Sequence, residues 1–363
     1  MRSLSTTELI RALSLRDLTD PAAGPHAMQL MLAELHAALP VAVRVHRAPP
    51  IVSIADNYDH LGYPPGGAAR DERYTRYVCD TALLRSQTSA MIPPLLRAPL
   101  GDDEILSCAG LVYRRDVIDR LHVGEPHQVD LWRIAKQRLG LADLHAMIAT
   151  VVGAALPGTR WRTTAAAHPY TTDGLQIDVE IRGAWIEIGE CGLAARALLP
   201  PDRYGLAMGL GLDRLVMLRK GLDDIRLLRA SEPRILAQML DLAPYRPVSA
   251  MPEVRRDLSI AVDEVPLDEE LGDRVRAALG ADAELVESVT IVSVTPAREL
   301  PAAASERLGI AEHQTNLLVR VVLRALDLTL THEQCNELRD RIYAALHRGT
   351  LSTWAQRWRA SCD

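Results

Sequence analysis

Three places in the chain carry charged side chains suited to phosphate or metal chemistry. The run from Gly205 to Arg214 spaces Gly205, Gly209 and Gly211 ahead of Asp213 and Arg214, where a helix begins that is expected to stop at Gly221. Glycines let a backbone come close to a ligand, and a guanidinium fork binds phosphate oxygens in pairs. The run is no dinucleotide fingerprint, because neither a preceding parallel strand nor a following ribose-binding acid is evident. The bland alternative is an arginine that merely begins an amphipathic helix. The second place, residues 111–134, gathers Arg114, Asp116, His122, Pro126, His127, Gln128 and Asp130 in LVYRRDVIDRLHVGEPHQVDLWRI. Taken alone, its two histidines read as surface or loop residues ahead of proton-transfer groups. The third is Glu187, one carboxylate in the apolar strand AWIEIGECG: an oxygen ligand for Mg²⁺ or a salt-bridge partner. Cys79, Cys108, Cys191, Cys335 and Cys362 show no metal-ligand or disulfide spacing and read as reduced thiols.

The elements that must hold these groups follow from periodicity. Met28, Met31, Leu32, Leu35 and Leu39 recur at helical spacing within 26–39. From about 50 to 195, short apolar runs broken by Gly and Pro predict a largely antiparallel sheet with a few helices. A Pro-rich stretch, LAPYRPVSAMPEV, marks a linker with a boundary near 248. Beyond it come a strand (Leu258, Ile260, Val262), a helix (Leu267, Leu271, Val275, Leu279), two strands and a helix capped by Thr331 and Gln334. The order β-α-β-β-α, with room for a final short strand, is ferredoxin-like. The expected fold class is α+β, with one domain over 1–247, a second over 248–350 and a tail over 351–363.

The 363 residues are too many for one ordinary core. With 48% hydrophobic and 24% charged residues and no apolar run long enough to span a bilayer, the chain reads as soluble, without a membrane partner. The start, MRSLSTTELIRALSLRDL, lacks a secretory pattern, so a cytoplasmic location is expected. The net charge of -6 gives no global attraction to nucleic acid, and only Lys136 and Lys220 are lysines. Residues 249–363 hold 13 Arg against 19 Asp plus Glu, an unexpected balance for a domain that touches phosphates. Phenylalanine is absent although tyrosine occurs 9 times. A chain without Phe can be synthesised when charged Phe-tRNA is scarce.

The Gly205 stretch, GLAMGLGLDRLVMLRKGLDDIRLLRASEPR, closely resembles motif 3 of class II aminoacyl-tRNA synthetases, and its DDIRLLR continuation is similar to the phenylalanyl branch. Residues 111–134 resemble motif 2. Asn57 to Met91 resembles that branch's segment ending Leu-Leu-Arg-Thr-His-Thr-Ser, here Leu-Leu-Arg-Ser-Gln-Thr-Ser. The stretches beginning at Met251 and Thr329 resemble the anticodon-binding domain of the mitochondrial-type monomeric enzyme, so the likeness runs from about 50 to 347. The resemblance implies ATP and Mg²⁺ as cofactors and adenylation of an amino acid, with tRNA as acceptor. Arg114 and Arg214 become the catalytic phosphate clamps, Gly209 and Gly211 the floor under ATP, Asp116 the support of Arg114, and His122, Pro126 and His127 the nucleotide loop. Gln87, Ser89, Gln128, Asp130, His168, Tyr170, Glu190 and Ala207 become the amino-acid site, Glu187 a metal ligand, and Arg255 and Arg256 RNA contacts. A monomer is the expected state, with a motif 1 dimer as the alternative.

The chain departs from the family at its pocket. Phe-Pro-Phe becomes His168-Pro169-Tyr170, and Leu-Gly-Cys-Gly becomes Gly189-Glu190-Cys191-Gly192. Polar walls reject a ligand that leaves them unpaired, so the amino acid is expected to be Phe or a more polar relative. Pro126 stands where the family stacks an aromatic on adenine, which implies weaker ATP binding. Two other functions fit the same residues: transfer of the aminoacyl group to a small molecule or carrier protein, and a non-catalytic sensor of tRNA or amino acid.

Overall fold

The computed structural model describes residues 3–114, 119–247, 251–326 and 328–351. The chain divides into two compact units: Met1–Arg114, Glu125–Leu228 and Pro233–Tyr245 form the first, and Arg115–Gly124, Arg229–Glu232 and Arg246–Asp363 the second.

The first unit contains strands β1 (Ala42–His46), β2 (Ile51–Ser53), β3 (Arg76–Cys79), β4 (Ala82–Leu84), β5 (Asp103–Leu111), β6 (His127–Ala135), β7 (Trp161–Ala165), β8 (Thr171–Ile181), β9 (Ala184–Ala194) and β10 (Tyr204–Gly211). Its helices are α1 (Thr6–Leu13), α2 (Ala27–Ala38), α3 (Ile54–Asn57), α4 (Ile92–Leu96), α5 (Leu141–Ala155), α6 (Leu212–Lys220) and α7 (Pro233–Gln238). Seven strands form one sheet in the order β1-β5-β6-β10-β9-β8-β7, and β2-β4-β3 form a small second one. Only the β1–β5 pairing in the large sheet is parallel, as the antiparallel expectation requires for the rest.

Helix α2 buries Met28, Met31, Leu32 and Leu35 as a single stripe and packs beside α5 and α6. α5 has no counterpart among the helices expected above, although Leu144, Met147, Ile148, Val151, Val152 and Ala155 recur at helical spacing and form its one buried stripe. The opposite side of the sheet carries Leu106, Trp132, Ile134 and Ala207, packed with Leu61, Met91, Ile92 and Leu96. α6 ends at Gly221, which takes the left-handed conformation (φ 67°) expected of a C-terminal cap glycine.

In the second unit β11 (Val254–Val262), α8 (Asp268–Leu279), β12 (Val286–Pro296), α9 (Ala302–Leu308), β13 (Thr315–Leu323) and α10 (His332–Leu346) follow in turn. The strands are antiparallel in the order β11-β13-β12. Leu271, Val275 and Leu279 of α8 join Cys335, Leu338 and Ile342 of α10 in one core with Leu258, Ile260, Leu317 and Val319. Thr331 and Gln334 form the reciprocal cap: each main-chain N–H donates to the other's side chain, at 2.9 and 3.2 Å. The seven-residue α9 interrupts the expected direct passage from β12 to β13. Its sequence, AAASERL, favours helix by alanine content but is too short to show an apolar period.

Candidate active site

The site is assembled by strand register. Gly110, Gln128 and Gly211 lie opposite one another across β5, β6 and β10. The next row is Cys108, Asp130, Gly209, Glu190 and Gln176, and the row after it Leu106, Trp132, Ala207 and Gly192. Residues directly opposite in an antiparallel ladder share a face. One face therefore carries Gln128, Asp130, Gly209, Gly211, Ala207 and Glu190, six of the expected site residues, drawn from three strands.

Glu187 reaches the same face through an irregularity. The register passes from Ile177–Gly189 to Asp178–Glu187, so Ile188 is an extra residue in β9. Such a bulge reverses the alternation of side chains. Burial and the neighbouring Glu190 carboxylate push the Glu187 carboxyl up, while the charges of Arg214 and Arg114 pull it down. The two expected phosphate clamps thus both lie within electrostatic reach of Glu187. Arg214 in the first turn of α6 also donates from Nη1 to the Glu187 carbonyl at 2.8 Å. Arg114 is exposed, and its main-chain carbonyl accepts from Arg76 at 3.2 Å.

Beneath these charges the floor is open. A Cβ added at Gly209 would meet nothing closer than the Asp130 carboxylate oxygens at 3.9 Å, and one at Gly211 would meet the Arg214 Cβ at 3.8 Å. The nearby Gly189 differs, because a Cβ there would run into the Gly209 carbonyl oxygen. Gly189 permits strand packing, whereas Gly209 and Gly211 leave room for something that is not protein.

Asp130 is buried and accepts from Thr88 Oγ1 (2.6 Å), Ser89 Oγ (2.8 Å) and Trp132 Nε1 (3.1 Å). Burial pushes its carboxyl up against the pull of these donors. Its oxygens are committed to the wall, so Asp130 positions Thr88 and Ser89 instead of facing the ligand directly as expected. Thr88 was not singled out in the sequence, although it stands beside Ser89 in the same Thr-Ser pair. Next to this wall Tyr170 stacks on Trp132 (ring centres 5.8 Å, 27° between planes) and lies 6.3 Å from the Tyr63 ring. Burial lifts the Tyr63 phenol to about 12, keeping it a donor, and its Oη donates to Gln87 Oε1 at 3.0 Å. Gln87 in turn donates to the Asn57 carbonyl at 3.0 Å. His168 Nε2 and Glu190 Oε2 are 2.6 Å apart, and the His168 ring is 5.6 Å from Tyr170. The result is an aromatic shelf with one strongly polar end.

Several expected residues stand elsewhere. His127 is fully buried, its Nε2 accepts from the Leu18 N–H at 3.0 Å, and its Nδ1 lies 3.3 Å from both carboxylate oxygens of Asp213. Its main-chain N–H also donates to Asp213. It ties the start of β6 to α6, and the expected nucleotide contact through its ring is corrected on that ground. The Pro126 carbonyl accepts from Val112 at 2.8 Å. His122 belongs to the segment grouped with the second unit, where Nδ1 meets Asp119 at 2.8 Å. Asp116 lies outside the described residues. In the second unit, Arg255 pairs with Glu253 at 2.5 Å, and Arg256 reaches Asn336 (3.3 Å) and His332 (3.2 Å). Among the described residues no group of three His, Cys, Asp or Glu could hold a metal ion, and no helix is long and apolar enough to cross a membrane.

The family model described as tRNA synthetases class II core domain (F) matches residues 22–239, more than half the chain, and spans every strand of this site. The chain belongs to that family. This class II synthetase core is 35% identical over 201 residues to a phenylalanine–tRNA ligase alpha subunit of Prochlorococcus marinus, covering 54% of this chain and 59% of that one. It is 25% identical over 312 residues to the chloroplastic/mitochondrial phenylalanine–tRNA ligase of Arabidopsis thaliana, covering 81% of this chain and 68% of the relative. A probable mitochondrial phenylalanine–tRNA ligase of Drosophila melanogaster is also 25% identical, over 82% of this chain and 75% of its own. The chain thus spans about 59% of the length of the alpha subunit it matches.

Proposed function

We propose that this protein activates an amino acid with ATP, forming an aminoacyl-adenylate, and passes the aminoacyl group to tRNA. The observation that carries this reading is Arg214, whose Nη1 donates to the Glu187 carbonyl at 2.8 Å, beside an open glycine floor, on the face that also holds the aromatic shelf. Adenylation is an in-line attack of a carboxylate on the α-phosphate, and fixed guanidinium groups stabilise the charge that spreads over its oxygens. Arg114 and Arg214 take that role. Gly209 and Gly211 leave the space for the nucleotide. An Mg²⁺ ion fits only if phosphate oxygens supply most of its ligands, with the Glu187 carboxylate giving the protein oxygen. When bound, it would neutralise phosphate charge.

The amino acid is Phe or a more polar relative. Tyr170 and Trp132 supply the aromatic wall, and the His168–Glu190 pair sets a hydrogen-bonding end that favours a polar side chain. Residues 248–350 then act as a ferredoxin-like anticodon-binding domain that follows a catalytic domain over 1–247 in the sequence, with 351–363 as a tail. The strand order β11-β13-β12 supports the ferredoxin-like assignment. A second reading, transfer to a small molecule or carrier protein, is favoured by one observation: Arg255 and Arg256, the expected RNA contacts, already have protein partners in an acidic domain.

ATP–pyrophosphate exchange against all twenty amino acids tests the reading, with Arg214→Ala as control. Exchange with one amino acid, reduced roughly 10²- to 10³-fold in the control, is the expected result. Exchange with none would overturn it.

A further inference from the structure

We propose that His127 is a positioning residue for Arg214, acting through Asp213, and that the turn Asp17–Thr19 sets the histidine tautomer on which this depends. The inference rests on the adenylation reading and names what aims its phosphate clamp.

A fixed turn faces the ring. Leu18 and Thr19 are buried. Asp17 Oδ1 accepts from the Thr19 N–H at 2.9 Å and from the Thr19 hydroxyl at 2.7 Å, and Asp17 Oδ2 accepts from the Leu111 N–H at 3.4 Å. Gln29 Nε2 donates to the Leu18 carbonyl at 3.3 Å, and Arg47 Nη1 donates to Thr19 Oγ1 at 3.2 Å. With the turn so held, the Leu18 N–H meets His127 Nε2 at 3.0 Å. A main-chain amide nitrogen can only donate, so Nε2 is the acceptor and the neutral ring carries its hydrogen on Nδ1. The Asp17 carboxylate, 3.7 Å from Nε2, lies beyond hydrogen-bond distance.

The Nδ1 hydrogen is thereby directed at Asp213. Both Asp213 oxygens lie 3.3 Å from Nδ1, and Oδ2 also accepts from the His127 main-chain N–H. Asp213 is buried, and a buried carboxylate needs such donors. It is the second residue of α6, and the third is Arg214, whose Nη1 donates to the Glu187 carbonyl at 2.8 Å. On the other side His127 is the first residue of β6, and the next, Gln128, lies opposite Gly110 and Gly211 in the site. One imidazole therefore joins the start of β6 to the first turn of α6, and the placing of Arg214 against Gln128 depends on where the Nδ1 hydrogen points. Misplacing a catalytic group by about 1 Å costs on the order of 10²-fold in rate.

ATP–pyrophosphate exchange by His127→Asn and His127→Gln separates positioning from packing. Both substitutions delete the ring, but the Asn amide can put a hydrogen where Nδ1 has one, whereas the Gln amide reaches the place of Nε2 and takes that donor away from Asp213. His127→Gln should lower kcat about tenfold or more with the amino-acid KM little changed. His127→Asn should stay within about threefold of the wild type. Added to Arg214→Ala, the two substitutions should cost the same, because the residue they position is gone. Hydrogen–deuterium exchange over residues 212–218 reads the same tie without catalysis, and there His127→Gln should speed exchange about tenfold or more relative to His127→Asn. A wild type that exchanges pyrophosphate with no amino acid would remove the adenylation reading and leave the hydrogen-exchange comparison to decide the positioning. The proposal is overturned if the Asn and Gln variants lose protection equally, or if His127→Gln costs as much on top of Arg214→Ala as it does in the wild type.

Discussion

Glu187 and Glu190 stand on the same face of β9 although an odd number of positions separates them, because Ile188 is bulged out of register between them. The pair divides the site's negative charge. Glu187 lies under the pull of the Arg214 and Arg114 charges, and Glu190 is held by His168 at 2.6 Å. The two carboxylates should therefore fail differently when removed. Glu187→Gln should raise the Mg²⁺ concentration for half-maximal exchange on the order of tenfold with the amino-acid KM little changed, whereas Glu190→Gln should move the amino-acid KM. Identical kinetic signatures for the two variants would refute the division.

The glycines make a second contrast. Gly189→Ala places a methyl group against the Gly209 carbonyl and should lower stability by about 1–3 kcal/mol. Gly209→Ala places its methyl group in ordinary contact, 3.9 Å from the Asp130 carboxylate oxygens, and should melt close to the wild type while losing ATP affinity. Thermal denaturation and nucleotide titration of both variants separate packing from ligand room.

His168→Phe removes the hydrogen bond to Glu190 and restores an apolar wall beside Tyr170. Exchange kinetics should show kcat/KM for phenylalanine rising relative to that for a polar substrate by about 10-fold or more. An unchanged ratio would remove His168 from the specificity wall.

Stability should fall on acidification through His26. The residue caps α2, its Nδ1 accepting from Met28 at 3.2 Å and its Nε2 facing the Leu228 carbonyl at 3.0 Å, and burial lowers its pKa to about 4. An unfolded histidine titrates near 6.5, so below that pH the unfolded chain binds a proton that the folded chain refuses. The stabilisation is complete above about pH 6.5 and is lost as pH falls toward about 4, by up to about 3 kcal/mol. Denaturant titrations at pH 7.5 and 4.5 should show His26→Asn losing about 2 kcal/mol less than the wild type. Parallel losses would show that His26 is not the linked group.

The absence of phenylalanine predicts a cellular behaviour. Under phenylalanine starvation the protein should rise in abundance relative to Phe-containing proteins of similar size, measured by quantitative mass spectrometry. A proportional fall would exclude synthesis independent of charged Phe-tRNA.

The elements legible in the sequence are those whose signals are local. The stripe of Met28, Met31, Leu32 and Leu35, the cap pair Thr331–Gln334, the left-handed Gly221 and the alternation in β11 each depend on neighbours within a turn or two, so spacing sufficed. α9 escaped it, being too short to have a period, and α5, despite a stripe at helical spacing, lay within a stretch whose short apolar runs read as strands. The family, too, was readable in the motifs that carry Arg114 and Arg214. Only the tertiary structure decided what each charged group faces. His127 and Asp130 read alike as polar residues on a substrate-lining strand, yet Asp213, 86 positions away, and Thr88, 42 positions away, claim their polar atoms. The bulge that turns Glu187 toward the arginines is likewise a property of two paired strands. A side chain's partners are set by long-range register and burial, and no local pattern in the chain records them.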